Sequence, residues 1–355
     1  MAKSLPIVRK PKETEIKLQE ELHHSWQVIT LCVLVLLVLV GGNWAVSSLQ
    51  HAVARSGGGR SHAVASIISR PRNLRITGLY SQGCRGRIVM QIIAHPDDDL
   101  AFMNPDTQTA LTKGKCVRSV YLTAADHGWG LAYAEEREAG IRAAYDTMLG
   151  TDKENWKTHT VALPTGELLS VSDSPDNAPL VTLIFIRLPD GNLDGNGFST
   201  TGEVSLKRLA ADSRLKLTTL DEKTTYTRQT LLQSLAELIA VYQPIEIRTL
   251  GDMPADVKAD HSDHLAAGEL AAQALTQYHH TYHDTTSMPL VKYIGYPIAG
   301  RQSNLSKSEE AKKENTFFTY ARYDHNVCTT MAMCQSGGSS YAKYMSRRYT
   351  LPVNK

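Results

Sequence analysis

Two short segments of this chain concentrate the side chains that bind metals and move protons. Residues 94–99 read AHPDDD, which puts one imidazole beside three carboxylates, and residues 261–264 read HSDH. Aspartates can cap the free N–H groups at the start of a helix, but capping does not explain His95 or three successive acids. Two histidines and one carboxylate are enough protein ligands for a catalytic zinc ion, whose fourth position is left to water.

Both segments follow stretches that predict buried β-strands. Short β-branched runs lie at 88–94, 117–123, 158–163, 180–188, 245–250 and 291–296, and helix-like segments lie between several of them, at 135–149, 227–242 and 264–278. This alternation predicts an α/β fold with a largely parallel sheet. In such sheets a site forms outside the carboxyl ends of the strands, where the strand order reverses. A capping-box pattern at Ser306 and Glu309 predicts one more helix, through Tyr320.

Composition excludes several classes of protein. The chain has 355 residues, 42% apolar and 21% charged, so it can bury a sizeable core and is not disordered as a whole. Its 38 Lys and Arg against 36 Asp and Glu give a net charge of +2, without the basic excess expected of a nucleic-acid-binding protein. No glycine-rich phosphate loop follows the first strand, so we expect no nucleotide cofactor.

The N-terminal part of the chain contains an uncharged apolar run at residues 28–42, between Trp26 and Trp44. As a helix, the segment from one tryptophan to the other would be about 28 Å long, close to the thickness of a hydrocarbon core. We therefore predict a cytoplasmic tail at residues 1–25, a transmembrane signal-anchor helix at residues 26–46, a flexible linker at residues 47–74 and a folded domain at residues 75–355. The alternative is a signal peptide that is cleaved near the small residues at 45–47, which would give a secreted protein.

Basic residues near the apolar run predict its orientation. More of them precede the run than follow it: Lys3, Arg9, Lys10, Lys12 and Lys17 come before, and Arg55 and Arg60 come after. Because cytoplasmic flanks carry the excess of Lys and Arg, this bias predicts a single-pass protein with a cytoplasmic N-terminus and an exported catalytic domain.

Four cysteines lie in the part of the chain that is predicted to be exported. Cys84 and Cys116 each come just before an apolar run, so both sulfurs would lie at the same edge of the sheet if the two strands are parallel neighbours. Cys328 and Cys334 are close together in a segment of small residues. An oxidising compartment favours disulfides, and we expect the pairs 84–116 and 328–334, while the other connectivities of four cysteines stay open.

The sequence resembles the PIG-L/LmbE-like family of zinc-dependent N-acetylglucosaminyl deacetylases, and among them the larger exported members. The resemblance extends over about residues 84–325 and is carried by AHPDDDLAFMNPD, TAADHGWG, REAGIRAAYDTMLG, RLPDG and the H-x-D-H motif. It implies a Rossmann-like fold with helices flanking the sheet, and one bound Zn²⁺, although His and Asp ligands accept other divalent metals. The site residues that it implies are His95, Asp98 and His264 as metal ligands, Asp97 as general base, His261 as the residue that assists the tetrahedral intermediate and the leaving amine, and Arg137 and Asp190 as contacts of sugar hydroxyls.

Three residues depart from the family pattern. Asp99 replaces a frequent Glu, Gly140 stands where many members have Glu, and Asp260 stands where some members have a basic residue. None of the three is among the implied metal ligands.

The implied activity is hydrolysis of an acetamide. A metal-activated water, with Asp97 as general base, would remove the N-acetyl group from an N-acetylated sugar or glycoconjugate outside the cytoplasm. The expected partners are this glycan substrate and, through residues 26–46, a lipid bilayer, with no nucleic acid. An alternative from another class is a catalytically silent carbohydrate-binding module tethered to the membrane, which would keep the pocket and lose the base. A phosphate-ester hydrolase is a third interpretation, for which two metal ions would be expected.

Overall fold

This computed structural model describes residues 74–81, 83–151, 155–175, 179–251 and 260–351. Among these residues, no helix combines the length and the apolar composition needed to cross a bilayer. The predicted tail at residues 1–25 and the predicted span at residues 26–46 lie outside the described residues, as does the predicted linker up to residue 73.

Nine strands are found in the described chain. In order they are β1 (Ile88–Ile93), β2 (Cys116–Thr123), β3 (Lys157–Ala162), β4 (Leu168–Asp173), β5 (Val181–Leu188), β6 (Leu217–Thr218), β7 (Thr225–Tyr226), β8 (Glu246–Leu250) and β9 (Leu290–Tyr293). The short strands β6 and β7 pair only with each other, and the other seven form one sheet in the order β3-β4-β5-β2-β1-β8-β9. Within this sheet β4 runs antiparallel to both of its neighbours, β3 and β5, whereas the pairs β5-β2, β2-β1, β1-β8 and β8-β9 are all parallel.

The order of the strands reverses at β1. From β1 the chain moves to β2 and β5 on one side, whereas β8 and β9 lie on the other side of β1. A crevice opens outside the carboxyl ends of the strands at such a reversal. The loops that follow β1 and β8 therefore meet there.

Helices cover both faces of the sheet. They are α1 (Asp106–Thr112), α2 (Leu131–Leu149), α3 (Leu206–Ala211), α4 (Arg228–Tyr242), α5 (Ser262–Tyr282), α6 (Lys307–Ala321), α7 (Met331–Ser336) and α8 (Tyr341–Tyr344), with a π-helical turn at Asp99–Met103 and 3₁₀ turns at Ser199–Thr201 and Tyr296–Gly300. The predicted capping box is present, because Ser306 and Glu309 bond reciprocally at the start of α6. This helix ends at Ala321, one residue after the predicted end.

Alternate residues of β1 show how the sheet is buried. Ile88, Met90 and Ile92 pack into a core with α4 and α5. Val89 and Ile93 point to the opposite face and pack into a second core with α2 and α6. A strand that is buried on both faces reads as a nearly continuous apolar run, as residues 88–93 do apart from Gln91, whose side chain is hydrogen-bonded to Thr107 and Ser119. The predicted α/β fold with a mostly parallel sheet flanked by helices is confirmed.

The four cysteines of the described chain form two disulfides. Cys84 is bonded to Cys116, with the Cα atoms 5.8 Å apart, and Cys328 is bonded to Cys334, with the Cα atoms 5.2 Å apart. Cys116 is the first residue of β2, so the first bridge lies at the amino end of the parallel strands, away from the crevice.

Candidate active site

The crevice at the carboxyl ends of β1 and β8 collects the two motifs that the sequence singled out. Residues 94–98 form the loop after β1 and lead into the π-helical turn at Asp99–Met103. On the other side, His261 is the N-cap of α5, and its ring Nδ1 accepts a hydrogen bond from the backbone N–H of Asp263. His95, Asp97, Asp98, His261 and His264 are all buried.

Three donor atoms converge in this crevice. Asp98 Oδ1 lies 3.0 Å from His264 Nε2 and 3.6 Å from His95 Nδ1, and the two imidazole nitrogens are 3.1 Å apart. Donors bound at 2.0–2.1 Å around a tetrahedral zinc ion are about 3.3 Å from one another. The three separations in the structure bracket that value, so the donor triangle of His95, Asp98 and His264 fits a divalent metal.

Neighbouring carboxylates orient the two imidazoles. Asp260 Oδ1 lies 2.8 Å from His264 Nδ1, and since a carboxylate only accepts, Nδ1 carries the proton and Nε2 faces the triangle. Asp263 Oδ2 lies 3.4 Å from Nε2 of His95, on the side of that ring away from the triangle. Such carboxylate–histidine contacts orient metal ligands and make them more basic.

Asp98 itself is held by the backbone. Its Oδ2 accepts the N–H of His95 at 2.7 Å, which leaves Oδ1 for the triangle. Burial alone would raise the pKa of Asp98, but the imidazoles of His264 and His95 hold that pKa well below its ordinary value. Burial lowers the pKa of His264, but the charges of Asp98 and Asp260 outweigh it and raise this pKa to about 9. A cation entering the triangle would therefore displace the proton on His264 Nε2.

A second set of possible ligands lies on the other side of His95. Donor atoms of His95, Asp190, His261 and Asp263 all lie within 4.8 Å of one another. The contacts in this set are longer: Asp263 Oδ2 is 3.4 Å from His95 Nε2 and 4.0 Å from His261 Nδ1, and His261 Nε2 is 3.9 Å from Asp190 Oδ1. The donor triangle is the more compact of the two sets.

Asp97 points away from the donor triangle. Its Oδ1 lies 3.3 Å from Arg137 Nη2, and its Oδ2 accepts a hydrogen bond from the Tyr341 hydroxyl at 2.9 Å. Its backbone has a φ of +122°, which side-chain-bearing residues rarely adopt. Burial raises the pKa of Asp97 to about 7, although the charge of Arg137 opposes the change. A carboxyl group with such a pKa can take up and release a proton near neutral pH.

His261 is a neutral hydrogen-bond donor in this arrangement. Because its Nδ1 accepts the N–H of Asp263 at 3.1 Å, the proton of the neutral ring is on Nε2, which faces Asp190. Burial lowers the pKa of His261 far below its ordinary value, and the neighbouring imidazoles of His95 and His264 lower it further.

Asp99, the third aspartate of the AHPDDD segment, is hydrogen-bonded to two buried tyrosines. Asp99 is fully buried, and its Oδ2 accepts hydrogen bonds from the hydroxyls of Tyr121 at 2.9 Å and Tyr145 at 2.6 Å. Burial raises its pKa to about 6 in spite of these two donors. The three successive aspartates therefore have three different sets of partners, and only Asp98 joins the donor triangle.

Arg137 and Asp190 both line the same pocket, but the guanidinium of Arg137 is already engaged by the protein. It donates to the carbonyls of Ala125 at 2.6 Å and Pro96 at 2.7 Å, and it lies 3.1 Å from Asp324. Asp190 Oδ1 accepts the N–H of Asn192. Contact of these two residues with sugar hydroxyls stays a prediction.

Four residues that sequence reasoning did not assign to the site are part of it. Asp260 and Asp263 contact the imidazoles of His264 and His95. Asp324 and Tyr341 contact Arg137 and Asp97 from the C-terminal part of the chain. The spacing of four residues between Asp260 and His264 is a sequence signal for their contact. No local sequence pattern predicts the contacts of Asp263, Asp324 and Tyr341, because their partners are far away in the sequence.

The pocket over these residues has a volume of about 250 Å³. It is lined by His95, Asp97, Ala125, His127, Tyr133, Arg137, Asp190, Asn192, Leu193, His261, Tyr296, Asp324, Asn326, Val327 and Tyr341. A larger cavity, of about 580 Å³, is lined by residues 74–81, Gly83, Arg85 and Val241, and none of the donor residues lines it. His95, Asp97 and His261 line the smaller pocket, which is therefore the candidate active site.

Comparisons with known proteins add the family. The model of the family described as "PIG-L: GlcNAc-PI de-N-acetylase" matches residues 90–275, just over half of the chain. No protein with curated annotation matches the chain in sequence.

Three solved structures illustrate the structural likeness. An N,N'-diacetylchitobiose deacetylase from Pyrococcus horikoshii is 14% identical, with 67% of this chain and 70% of that chain covered and a TM-score of 0.38. The deacetylase of A40926 pseudoaglycone, an antimicrobial reagent, is 14% identical, with 73% of this chain and 88% of that chain covered and a TM-score of 0.40. A 4-carboxy-2-hydroxymuconate hydratase from Pseudomonas putida KT2440 is 11% identical, with 73% of this chain and 82% of that chain covered and a TM-score of 0.38. Likenesses this distant do not bear on substrate or mechanism.

The match of the family model includes both loops of the crevice. It begins within β1, just before His95, and ends within α5, beyond His264. The donor triangle, Asp97 and His261 therefore all lie inside the matched region. The chain belongs to the PIG-L family of de-N-acetylases, which are hydrolytic enzymes.

Proposed function

We propose that this chain is a metal-dependent N-deacetylase that hydrolyses the acetamide of an N-acetylated sugar or glycoconjugate. The observation that carries the proposal is the donor triangle with Asp97 beside it. Asp98 Oδ1, His264 Nε2 and His95 Nδ1 are separated by 3.0 to 3.6 Å, and the carboxylate of Asp97, the adjacent residue in the chain, lines the same pocket.

The His₂Asp donor set suits zinc, although other divalent ions accept the same ligands. A divalent ion held by this triangle would supply a Lewis acid that polarises the acetamide carbonyl and makes water more acidic. His95, Asp98 and His264 would hold the ion, and Asp260 would keep the ring of His264 oriented toward it.

Asp97 is positioned to act as the general base. It takes a proton from the attacking water as the new C–O bond forms at the carbonyl carbon. Burial raises the pKa of Asp97, which favours uptake of that proton, and the resulting carboxylic acid can pass it to the leaving nitrogen. Breakage of the C–N bond then releases the amine and acetate.

His261 is positioned to stabilise the charge that develops on the acetamide oxygen. Its Nε2–H faces the pocket, and its N-cap bond to Asp263 fixes the ring. A preorganised donor in a buried site stabilises a developing oxyanion more strongly than water does. Burial lowers the pKa of this ring, which favours its neutral, donor form.

The complete set of groups favours the enzyme over a catalytically silent binding module. A binding module would need the pocket, but it would not need a buried carboxylate beside a metal triangle. Keeping such a group buried costs stability, so its presence is expected where a reaction requires it.

We also propose that the enzyme acts outside the cytoplasm and is anchored through residues 26–46. The two disulfides support an oxidising compartment, and the apolar run with its basic N-terminal flank supports the anchor.

The test of the proposed function is acetate release from a panel of N-acetylated substrates. The full-length chain is loaded with zinc and assayed on N-acetylglucosamine-containing oligosaccharides and glycolipids, next to a sample stripped with chelator. We expect release of acetate that disappears on chelation and returns when zinc is added. An absence of acetate release across the panel from folded protein with bound zinc, or full activity after complete metal removal, would refute the proposal.

A further inference from the structure

The C-terminal part of the chain reaches into the pocket although it lies beyond the match of the family model. That match ends at residue 275, whereas α6, α7 and α8 lie between residues 307 and 344. From α8, the hydroxyl of Tyr341 donates a hydrogen bond of 2.9 Å to Oδ2 of Asp97. Tyr341 is therefore a direct partner of the proposed general base.

Asp97 is a residue that requires such partners. Its φ of +122° lies where residues with a side chain are strained, and strained conformations persist only when the surroundings fix them. Arg137 fixes one side, because its Nη2 lies 3.3 Å from Asp97 Oδ1 and 2.7 Å from the carbonyl oxygen of Pro96. The hydroxyl of Tyr341 fixes the other carboxylate oxygen.

Tyr341 is itself held firmly in place. The buried ammonium of Lys313 donates to the carbonyls of Tyr344 at 2.9 Å and Arg347 at 2.7 Å, which ties α8 and the turn after it to α6. The rings of Phe317 and Tyr341 are in contact, with centroids 4.8 Å apart. Beyond α8, Thr350 bridges to Tyr293 at the end of β9.

We propose that Tyr341 is a positioning residue for the reaction, which extends the proposed function to a residue outside the matched family region. Its hydroxyl fixes the plane of the Asp97 carboxylate. A carboxylate oxygen accepts more than one hydrogen bond, so Oδ2 keeps a lone pair for the attacking water. Without this contact the carboxylate would rotate, and turnover would fall while the metal and the substrate remained bound.

The test compares three full-length variants with the wild type: Tyr341→Phe, Asp97→Asn and the double variant. We expect Tyr341→Phe to lower kcat about 10- to 100-fold, because small misplacements of a catalytic group have effects of this size. KM and the zinc content should stay close to the wild-type values. In the double variant kcat should fall no further than in Asp97→Asn, because Tyr341 acts through that carboxylate. The matched control is Tyr344→Phe, which removes a hydroxyl from the same helix and should leave kcat unchanged.

Other outcomes would overturn the proposal. An unchanged kcat in Tyr341→Phe would exclude a positioning role, a rise in KM alone would make Tyr341 a substrate contact, and loss of zinc would make its role structural. Additive effects of the two single substitutions on kcat would show that Tyr341 does not act through Asp97.

A second measurement needs no substrate. The same four proteins give a double-mutant cycle on the free energy of unfolding, in which the two positions should be coupled. Independent effects on unfolding would contradict the contact even if the wild type released no acetate from any substrate. Coupling in unfolding together with an inactive wild type would leave the contact in place and refute the proposed function.

Discussion

Asp98 Oδ1 lies 3.0 Å from Nε2 of His264, although Asp98 follows β1 and His264 lies in the first turn of α5, far away in the sequence. They meet because β1 and β8 are parallel neighbours at the position where the strand order reverses. Their contact brings the AHPDDD and HSDH segments together and forms one side of the donor triangle. Asp97, next in the chain to Asp98, takes different partners, and this difference can be measured.

Substitution of the two adjacent aspartates should separate metal binding from turnover. Asp98→Ala removes a donor of the triangle, so we expect it to lose zinc and activity together. Asp97→Asn should keep zinc and substrate affinity, but its turnover should fall by about 100-fold or more, the usual contribution of a general base. Zinc content and acetate release measured on both variants check this. Asp212→Asn, at a surface carboxylate paired with Arg214, is the control. Zinc retained in Asp98→Ala but lost from Asp97→Asn would reverse the two roles.

Gly295 should be essential for the orientation of His264. A Cβ on this residue would come within 2.7 Å of His264 Nδ1 and even closer to Asp260 Oδ2. Gly295→Ala should therefore push these two side chains apart and weaken zinc binding, by about 10- to 100-fold if their contact is lost. Competition with a chromophoric chelator measures the affinity. Gly300→Ala is the matched control, because a Cβ there meets nothing within 4 Å. Equal zinc affinities of the two variants would contradict the proposed role of the Asp260 contact.

The sequence predicted the parts of this site that depend on local patterns. The apolar runs predicted β1 and β8, and the motifs after them contain His95, Asp98 and His264. The strand β4 (Leu168–Asp173) was not predicted, because LLSVSD contains a single β-branched residue and its pairing with β5 is a tertiary property. Tyr341 and Asp324 could not be assigned either, since their contacts depend on how the C-terminal helices fold back over the pocket.

The two disulfides should stabilise the protein unequally. Closing a longer loop removes more conformational entropy from the unfolded chain. Cys84 and Cys116 are 32 residues apart and Cys328 and Cys334 are 6 apart, so the two losses should be about 4 and about 2 kcal/mol of unfolding free energy. Denaturant unfolding of Cys84→Ser/Cys116→Ser and Cys328→Ser/Cys334→Ser proteins gives both values. Four titratable thiols in the native wild type would contradict the pairing.

The free energy of unfolding of the metal-free protein should depend on pH through the buried carboxyl group of Asp97. Its folded-state pKa, about 7, is above its ordinary value because of burial, so the folded protein binds this proton more tightly than the unfolded chain. Its contribution to stability is therefore complete at low pH and is lost as the pH rises through 7. Asn carries no such proton, and Asp97→Asn should gain about 3 kcal/mol relative to wild type between pH 5 and pH 8. Urea unfolding at both pH values, with chelator present, measures this difference; a difference independent of pH would show that the carboxyl is not perturbed.

The backbone strain at Asp97 predicts an unusual order of stability between two small substitutions. Glycine adopts the φ of +122° found at this position freely, whereas alanine does not. Asp97→Gly should therefore be more stable than Asp97→Ala by about 1 kcal/mol, since both variants remove the same carboxylate. The neighbouring residue supplies the control: Asp98 has a φ of −56°, where alanine is the better residue, so Asp98→Ala should be more stable than Asp98→Gly. Denaturant unfolding of the four metal-free variants measures both differences. Opposite signs at the two positions are expected because the carbonyl of Asp97 accepts hydrogen bonds from the backbone N–H groups of Leu100 and Ala101, which remain in both variants and hold this backbone conformation. Alanine more stable than glycine at both positions would mean that Asp97 is not strained.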